Sequence, residues 1–231
     1  MSHQLLIAIP AHNESESVAQ VVSSLITQHY EVLVVDDAST DDTARIAREK
    51  GAKVMSLVNN LGAWGATQAG LRYANRKSYS LVLTMDADGQ HLPNSIPDFL
   101  AEHGESKLDV SIGAYPERGS SARKIAWHFF RRLSRLTIVD LTSGLRIYNR
   151  HAIELLSLPA ASLMDYQDVG VLIMLNRSGL ALGEVPVKME KRSAGKSRIF
   201  GSWWSVFFYM LHTTILCLIK FNFSKKRQNA Y

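Results

Sequence analysis

Between residues 4 and 113 short apolar runs alternate with helical patterns, and this alternation confines the chain to an α/β fold: a mainly parallel sheet covered by helices. Gln4–Ile9, Glu31–Val35, Lys53–Leu57, Ser80–Met85 and Asp109–Gly113 read as strands. Between the first two, Val18, Val21, Val22, Leu25 and Ile26 fall at i, i+3, i+4, i+7 and i+8 within Ser15–Gln28, one buried helix face. Ser39 to Asp42 supplies N-cap and first-turn residues for a helix through Lys50, and Ala66–Ala74 and Pro93–His103 read as further helices. Beyond Gly113 the texture changes. Arg123–Leu136 is a basic, partly aromatic helical stretch, Asp140–Asn149 reads as a loop, and residues 169–178 as another helix; this half is expected to fold over the carboxyl edge of the sheet.

The 231 residues, 46% hydrophobic and 20% charged, suffice for one large domain with a full core. No internal repeat, low-complexity tract or flexible linker divides them, so residues 1–198 read as one catalytic domain and 199–231 as an appended segment. Cys217 is the single cysteine, which excludes an internal disulfide and suits a reducing, cytosolic compartment. The apolar stretch Leu5–Ile9 is too short for the core of a signal peptide. Charge is unevenly placed: residues 1–112 hold 8 Lys and Arg against 14 Asp and Glu, a net of −6, whereas residues 113–231 hold 18 against 7, a net of +11. A basic surface can meet nucleic acid, an anionic leaflet or a phosphorylated substrate. No nucleic-acid-binding pattern accompanies this one, which leaves phosphate and membrane.

Ligands of open α/β sheets sit outside the carboxyl ends of the strands, and three of the expected strands end in polar groups: Pro10–Glu14, Asp36-Asp37 and Asp86–His91. Asp86 and Asp88 stand two apart at a strand end, where side-chain alternation points both to one face. Two convergent carboxylates invite a divalent cation that takes one or two protein carboxylates and completes its shell with phosphate oxygens. A dinucleotide fold is excluded because the first turn, PAHNES, lacks the glycines that let pyrophosphate approach the backbone.

IPAHNE (9–14), VVDDASTDDT (34–43), NNLGAWGATQAGL (59–71), MDADGQH (85–91), DLTSGLRIY (140–148), GEVPV (183–187) and RSAGKSR (192–198) occur in the order seen in family 2 glycosyltransferases of the GT-A fold. The chain most resembles the dolichyl- and polyprenyl-phosphate sugar transferases. That resemblance implies a donor pocket formed by Pro10, His12, Glu14, Asp37 and Gly62, with Asp86, Asp88 and Gln90 at the metal and diphosphate. It implies phosphate contacts for Arg146, Arg192, Lys196 and Arg198, with Asp88 and Arg192 among the catalytic residues. The implied cofactor is Mg²⁺ or Mn²⁺, and the implied partners are a UDP- or GDP-sugar and a polyprenyl phosphate or other lipid-linked acceptor. The expected place is the cytosolic membrane face, in cell-surface polysaccharide synthesis.

Two acceptors remain open. A lipid phosphate is already anionic and attacks the anomeric carbon, with inversion, without a base; a glycan hydroxyl needs one. Asp168 is the candidate base, although an Asp before a helix is as often its N-cap. A non-catalytic nucleotide-sugar-binding subunit is the reading from another class. Arg123, Lys124, Arg131, Arg132 and Arg135 form either a solvated helix face or a rim on lipid headgroups. From Ile199 to Ile219 no residue carries a formal charge at neutral His, and Lys220, Lys225, Lys226 and Arg227 follow. A polar stripe of Ser202, Ser205, Tyr209 and His212 favours a helix lying in the membrane interface, against a spanning helix or a packing or homo-oligomer contact.

Overall fold

The computed structural model describes residues 5–115, 117, 127–129, 131–132, 136–163 and 169–189. Their strands are β1 (Leu5–Ala11), β2 (Val32–Asp36), β3 (Lys53–Ser56), β4 (Leu81–Thr84), β5 (Val110–Ala114), β6 (Arg146–Asn149) and β7 (Leu182–Pro186). The helices are α1 (Val18–Thr27), α2 (Thr43–Glu49), α3 (Gly62–Arg76), α4 (Ile96–Ser106), α5 (Arg150–Leu156) and α6 (Val169–Arg177). The strands form one sheet in the order β3-β2-β1-β4-β6-β5-β7.

Strand alternation divides the core into two layers. Leu6, Ala8, Leu33 and Val35 pack with Trp64, Leu71, Ile153 and Leu172 on one side, while Ile7, Ile9, Val32 and Val34 pack with Val18, Val22, Leu25 and Phe99 on the other. The expected burial of the first helix holds, with Val18, Val21, Val22 and Leu25 inside. Gly70 of α3 lets the helix lie close to the sheet: a Cβ there would stand 3.2 Å from that of Ala8.

β1 pairs in parallel with β2 on one side and β4 on the other. The strand order therefore reverses at β1, which places the ligand crevice at the carboxyl ends of these three strands. β6 runs antiparallel between β4 and β5, and β7 is parallel to β5.

This corrects two expectations. Part of Asp140–Asn149 is a central strand rather than a loop, and the second half of the chain completes the sheet instead of only covering its edge. Thr142, Ser143 and Gly144 give the segment a turn-like composition, while the pairing that makes Arg146–Asn149 a strand comes from β4 and β5, distant in sequence. α3 also begins at Gly62, four residues before the expected start. Its approach is set by the Asn60 side chain, which accepts from the Gly62 amide at 3.1 Å. Among the described residues no helix is long and apolar enough to cross a membrane. The segment 199–231 and its expected interface helix lie outside the described residues.

Candidate active site

One wall of the crevice consists of the loops after β1 and β2, tied together by hydrogen bonds. The Asp37 amide donates to Ala11 O at 2.8 Å, and His12 Nδ1 lies 2.8 Å from Asp37 O. The Asn13 amide donates to Ser39 Oγ at 3.0 Å and the Thr40 amide to Asn13 Oδ1 at 2.8 Å. The Glu14 amide reaches Thr43 Oγ1 at 2.8 Å, and the Ser15 amide reaches Asp41 Oδ2 at 3.2 Å. Burial pushes the Asp41 carboxyl up, but hydrogen bonds from Thr43 and Ser15 more than offset this and hold it at about 2. Asn13 and Ala38 adopt positive φ, 55° and 56°, a conformation that costs a residue with a Cβ about 1–2 kcal/mol. The cross-links hold both in place. Asp37 is buried, and its Oδ1 accepts from the Leu61 amide at 2.7 Å, so it also anchors the approach to α3 and to Gly62, whose φ is +76°.

The opposite wall is the turn after β4. The strand ends at Thr84, and Asp88 lies in a turn closed by Gly89, φ 76°. The strand alternation expected to align Asp86 with Asp88 therefore does not extend to them. They differ in exposure: the Asp86 side chain is 42% exposed, whereas Asp88 is nearly buried and its Oδ1 accepts from the Gln90 amide at 3.1 Å.

The register of β4 with β6 pairs Thr84 with Arg146, which carries the preceding residues of the 140–145 loop to the end of β4. Gly144 lies directly against the Asp86 carboxylate: a Cβ at this position would stand 2.5 Å from Oδ2 and 2.6 Å from Cγ. Thr84 Oγ1 donates to Gly144 O at 2.9 Å and holds the glycine there.

The loop bearing Gly144 is anchored at both ends. Arg146 is fully buried and donates to Ser143 O and Leu141 O, each at 2.9 Å. Glu184 on β7 accepts through Oε1 from the amides of Val139 at 2.9 Å and Asp140 at 2.6 Å, and buried Asp140 accepts from the Tyr115 amide at 3.3 Å. The guanidinium of Arg146, expected at the diphosphate, is thus turned into its own loop, because β6 is central and buries it.

The topology thus places the loops carrying Pro10, His12, Glu14 and Asp37 and the turn carrying Asp86, Asp88 and Gln90 at the carboxyl ends of neighbouring parallel strands, with the approach to Gly62 tied to the first set through Asp37. Asp168, Arg192, Lys196 and Arg198 lie outside the described residues, as do Arg123, Lys124 and Arg135. Trp64 is buried packing, with Nε1 donating to Ala161 O at 2.8 Å. Sequence reasoning missed Gly144 and Glu184 as site-forming residues, although both stood within quoted motifs. Gly144 is needed for what it lacks, and only the pairing of β6 with β4 reveals what its missing side chain would strike.

The donor chemistry fits a hard divalent cation. Among the described residues no group of three or more His, Cys, Asp and Glu side chains gathers. A half-exposed carboxylate, with Asp88 two residues on in the same turn, suits an ion that completes its shell with phosphate oxygens and water rather than one caged by protein.

Residues 6–156 match the family described as glycosyl transferase family 2. The chain belongs to that family. It is 28% identical over 220 residues to the polyprenol monophosphomannose synthase of Mycolicibacterium smegmatis, covering 87% of this chain and 83% of that protein. It is 30% identical over 216 residues to the undecaprenyl-phosphate mannosyltransferase of Micrococcus luteus, covering 86% and 88%. Its fold superposes with a TM-score of 0.67 and 24% identity on glucosyl-3-phosphoglycerate synthase from Mycobacterium tuberculosis, solved with Mn²⁺, UDP and glucosyl-3-phosphoglycerate, over 84% of this chain and 73% of that one. The architecture is GT-A-like, as the order of motifs implied.

Proposed function

We propose that this family 2 glycosyltransferase moves a sugar from a UDP- or GDP-sugar to a polyprenyl phosphate at the cytosolic face of a membrane, with inversion. The observation that carries the reading is that the cross-linked loops after β1 and β2 and the turn bearing the half-exposed Asp86 carboxylate leave the carboxyl ends of neighbouring parallel strands, where the strand order reverses. The names of the relatives that span most of the chain support the acceptor class.

In this reading the loops after β1 and β2 hold the nucleoside, and Asp86, Asp88 and Gln90 are the residues that would hold Mg²⁺ or Mn²⁺. A bound divalent ion supplies neutralisation of the charge that develops on the leaving diphosphate. An acceptor phosphate oxygen forms the bond to the anomeric carbon as the bond to the diphosphate oxygen breaks, and the nucleoside diphosphate leaves with the electron pair. No proton moves. Arg192, Lys196 and Arg198 are assigned to the phosphates, and Arg146 acts by shaping the 140–145 loop. Residues 199–231 serve attachment to the membrane surface, whose anionic lipids attract the basic tail.

The test is transfer of radiolabel from a panel of UDP- and GDP-sugars to undecaprenyl or dolichyl phosphate by the purified full chain. Lipid-extractable label released by mild acid is expected. Label only in a lipid-linked glycan, with Asp168→Asn lowering the rate about 10²–10⁴-fold, would replace this acceptor by a hydroxyl. Nucleotide-sugar binding without any transfer would favour the non-catalytic subunit. Deletion of 199–231 is expected to release the protein from sedimented membranes.

A further inference from the structure

His91 is 2% exposed, and neither ring nitrogen has a hydrogen-bond partner among the described residues. An unpaired polar group of this kind costs about 1–3 kcal/mol, so a histidine serving only to fill space would be poorly chosen. Its place is well determined: the backbone forms an antiparallel bridge with Met189, and Nε2 stands 3.4 Å from Asp86 Oδ2. Gly144 closes on the same carboxylate from another direction. The carboxylate expected to touch the ion is therefore flanked by one buried donor and by one residue whose lack of a side chain leaves it room.

We propose that His91 is a positioning residue: its Nε2, 3.4 Å from Oδ2 of Asp86 and without a hydrogen bond among the described residues, is placed to donate to that oxygen as donor and cation arrive, while Gly144 leaves space for the carboxylate to lie against the backbone. This rests on the metal reading above and adds what sets the carboxylate's direction. Hydrogen bonds to metal-ligating groups fix their orientation, and losing one typically costs 10–100-fold in metal affinity.

The test compares His91→Gln, His91→Asn, His91→Phe and Gly144→Ala in the full chain, measuring Mn²⁺ affinity by electron paramagnetic resonance with UDP and with GDP, alongside Tm. Gln places an N–H near the position of Nε2, whereas Asn places one near Nδ1. The expected result is about 10–100-fold weaker Mn²⁺ binding in His91→Asn, His91→Phe and Gly144→Ala, with affinity restored in His91→Gln. A structural role alone would move Tm without this split between Gln and Asn. Should His91→Phe fail to fold, the Gln and Asn pair decides. Wild-type affinity in all four variants, or equal losses in Gln and Asn, would overturn the assignment while leaving the metal reading intact. No Mn²⁺ binding by the wild type with either nucleotide would overturn both.

Discussion

The two walls of the crevice are built on different principles. Around His12–Thr43 the loops satisfy one another: backbone amides of Asn13, Glu14, Ser15 and Thr40 meet side-chain oxygens of the facing loop. Around Asp86–His91 the carboxylate is half exposed and the buried imidazole lacks a hydrogen-bond partner among the described residues. The first wall holds its shape through internal bonds and can present a fixed surface to a nucleoside. The second leaves the imidazole of His91, among the described residues, without a hydrogen bond beside the Asp86 carboxylate.

Substitutions should separate these roles. Asp88→Ala is expected to lower sugar transfer by about 10³-fold or more, the scale on which charge-stabilising groups act, with Tm little changed. An unaltered rate in the radiolabel assay would remove Asp88 from the chemistry. Next in size, Glu184→Ala strips the carboxylate that accepts from the Val139 and Asp140 amides. Hydrogen bonds to charged groups contribute about 1.5–3 kcal/mol each, so the two together predict a loss of about 3–6 kcal/mol in urea unfolding, together with weaker Mn²⁺ binding as Gly144 loses its anchor. Glu184→Gln, which keeps an acceptor oxygen, should recover most of both. Equal losses in Ala and Gln would show that the negative charge, rather than the oxygen, holds the loop.

A smaller effect sharpens the picture of the stitched wall. Asn13→Ala removes the acceptor for the Thr40 amide and puts a poorer residue at φ 55°. About 1–2 kcal/mol of stability should be lost, with a raised KM for the nucleotide sugar and kcat little changed. Acid should open the same wall. Asp41 is held at about 2 against its ordinary 3.8, so its contribution is complete above pH 3.8 and fades as pH falls through about 2. In Asp41→Asn that part of the acid transition should be absent.

The two walls also differ in how legible they were. The first lies within β1–α1–β2–α2, where each hydrophobic run announces its own element, and the motifs after Ile9 and Val35 fall at the predicted strand ends. Asp86 and Asp88 were assigned to a cation through strand alternation, and that reason does not apply, since the strand stops at Thr84 before its alternation reaches them. The Gly144 loop was read as a loop without its destination, because antiparallel β6 owes its place to pairing with β4 some sixty residues away in sequence. Arg146 shows the same limit: its donation to Ser143 O and Leu141 O becomes visible only once the strand that it opens is placed in the centre of the sheet. Local periodicity reveals elements; it does not reveal which distant segment a central strand will meet.

His103 offers the last and smallest test, as a buried histidine with no role in the crevice. It lies on α4, and its Nδ1 is 2.8 Å from Ser111 Oγ on β5, so this imidazole has the partner that His91 lacks. Burial lowers its pKa from the ordinary 6.5, and nearby Asp109 opposes the shift. The unfolded chain therefore takes up the proton first. The contribution of His103 is complete above pH 6.5, declines as pH falls below that value, and levels off once pH passes beneath the folded pKa. For one proton the slope cannot exceed about 1.4 kcal/mol per pH unit. Urea unfolding of wild type and His103→Leu at pH 7.5, 6.5 and 5.5, probe conditions of about one unit's spacing around the reference value, should give a stability difference that shifts in favour of the leucine variant toward acid. A pH-independent difference would mean that His103 is no more costly to protonate in the fold than in the unfolded chain, and the contrast between a histidine buried for packing and one buried beside Asp86 would then rest on hydrogen bonding alone.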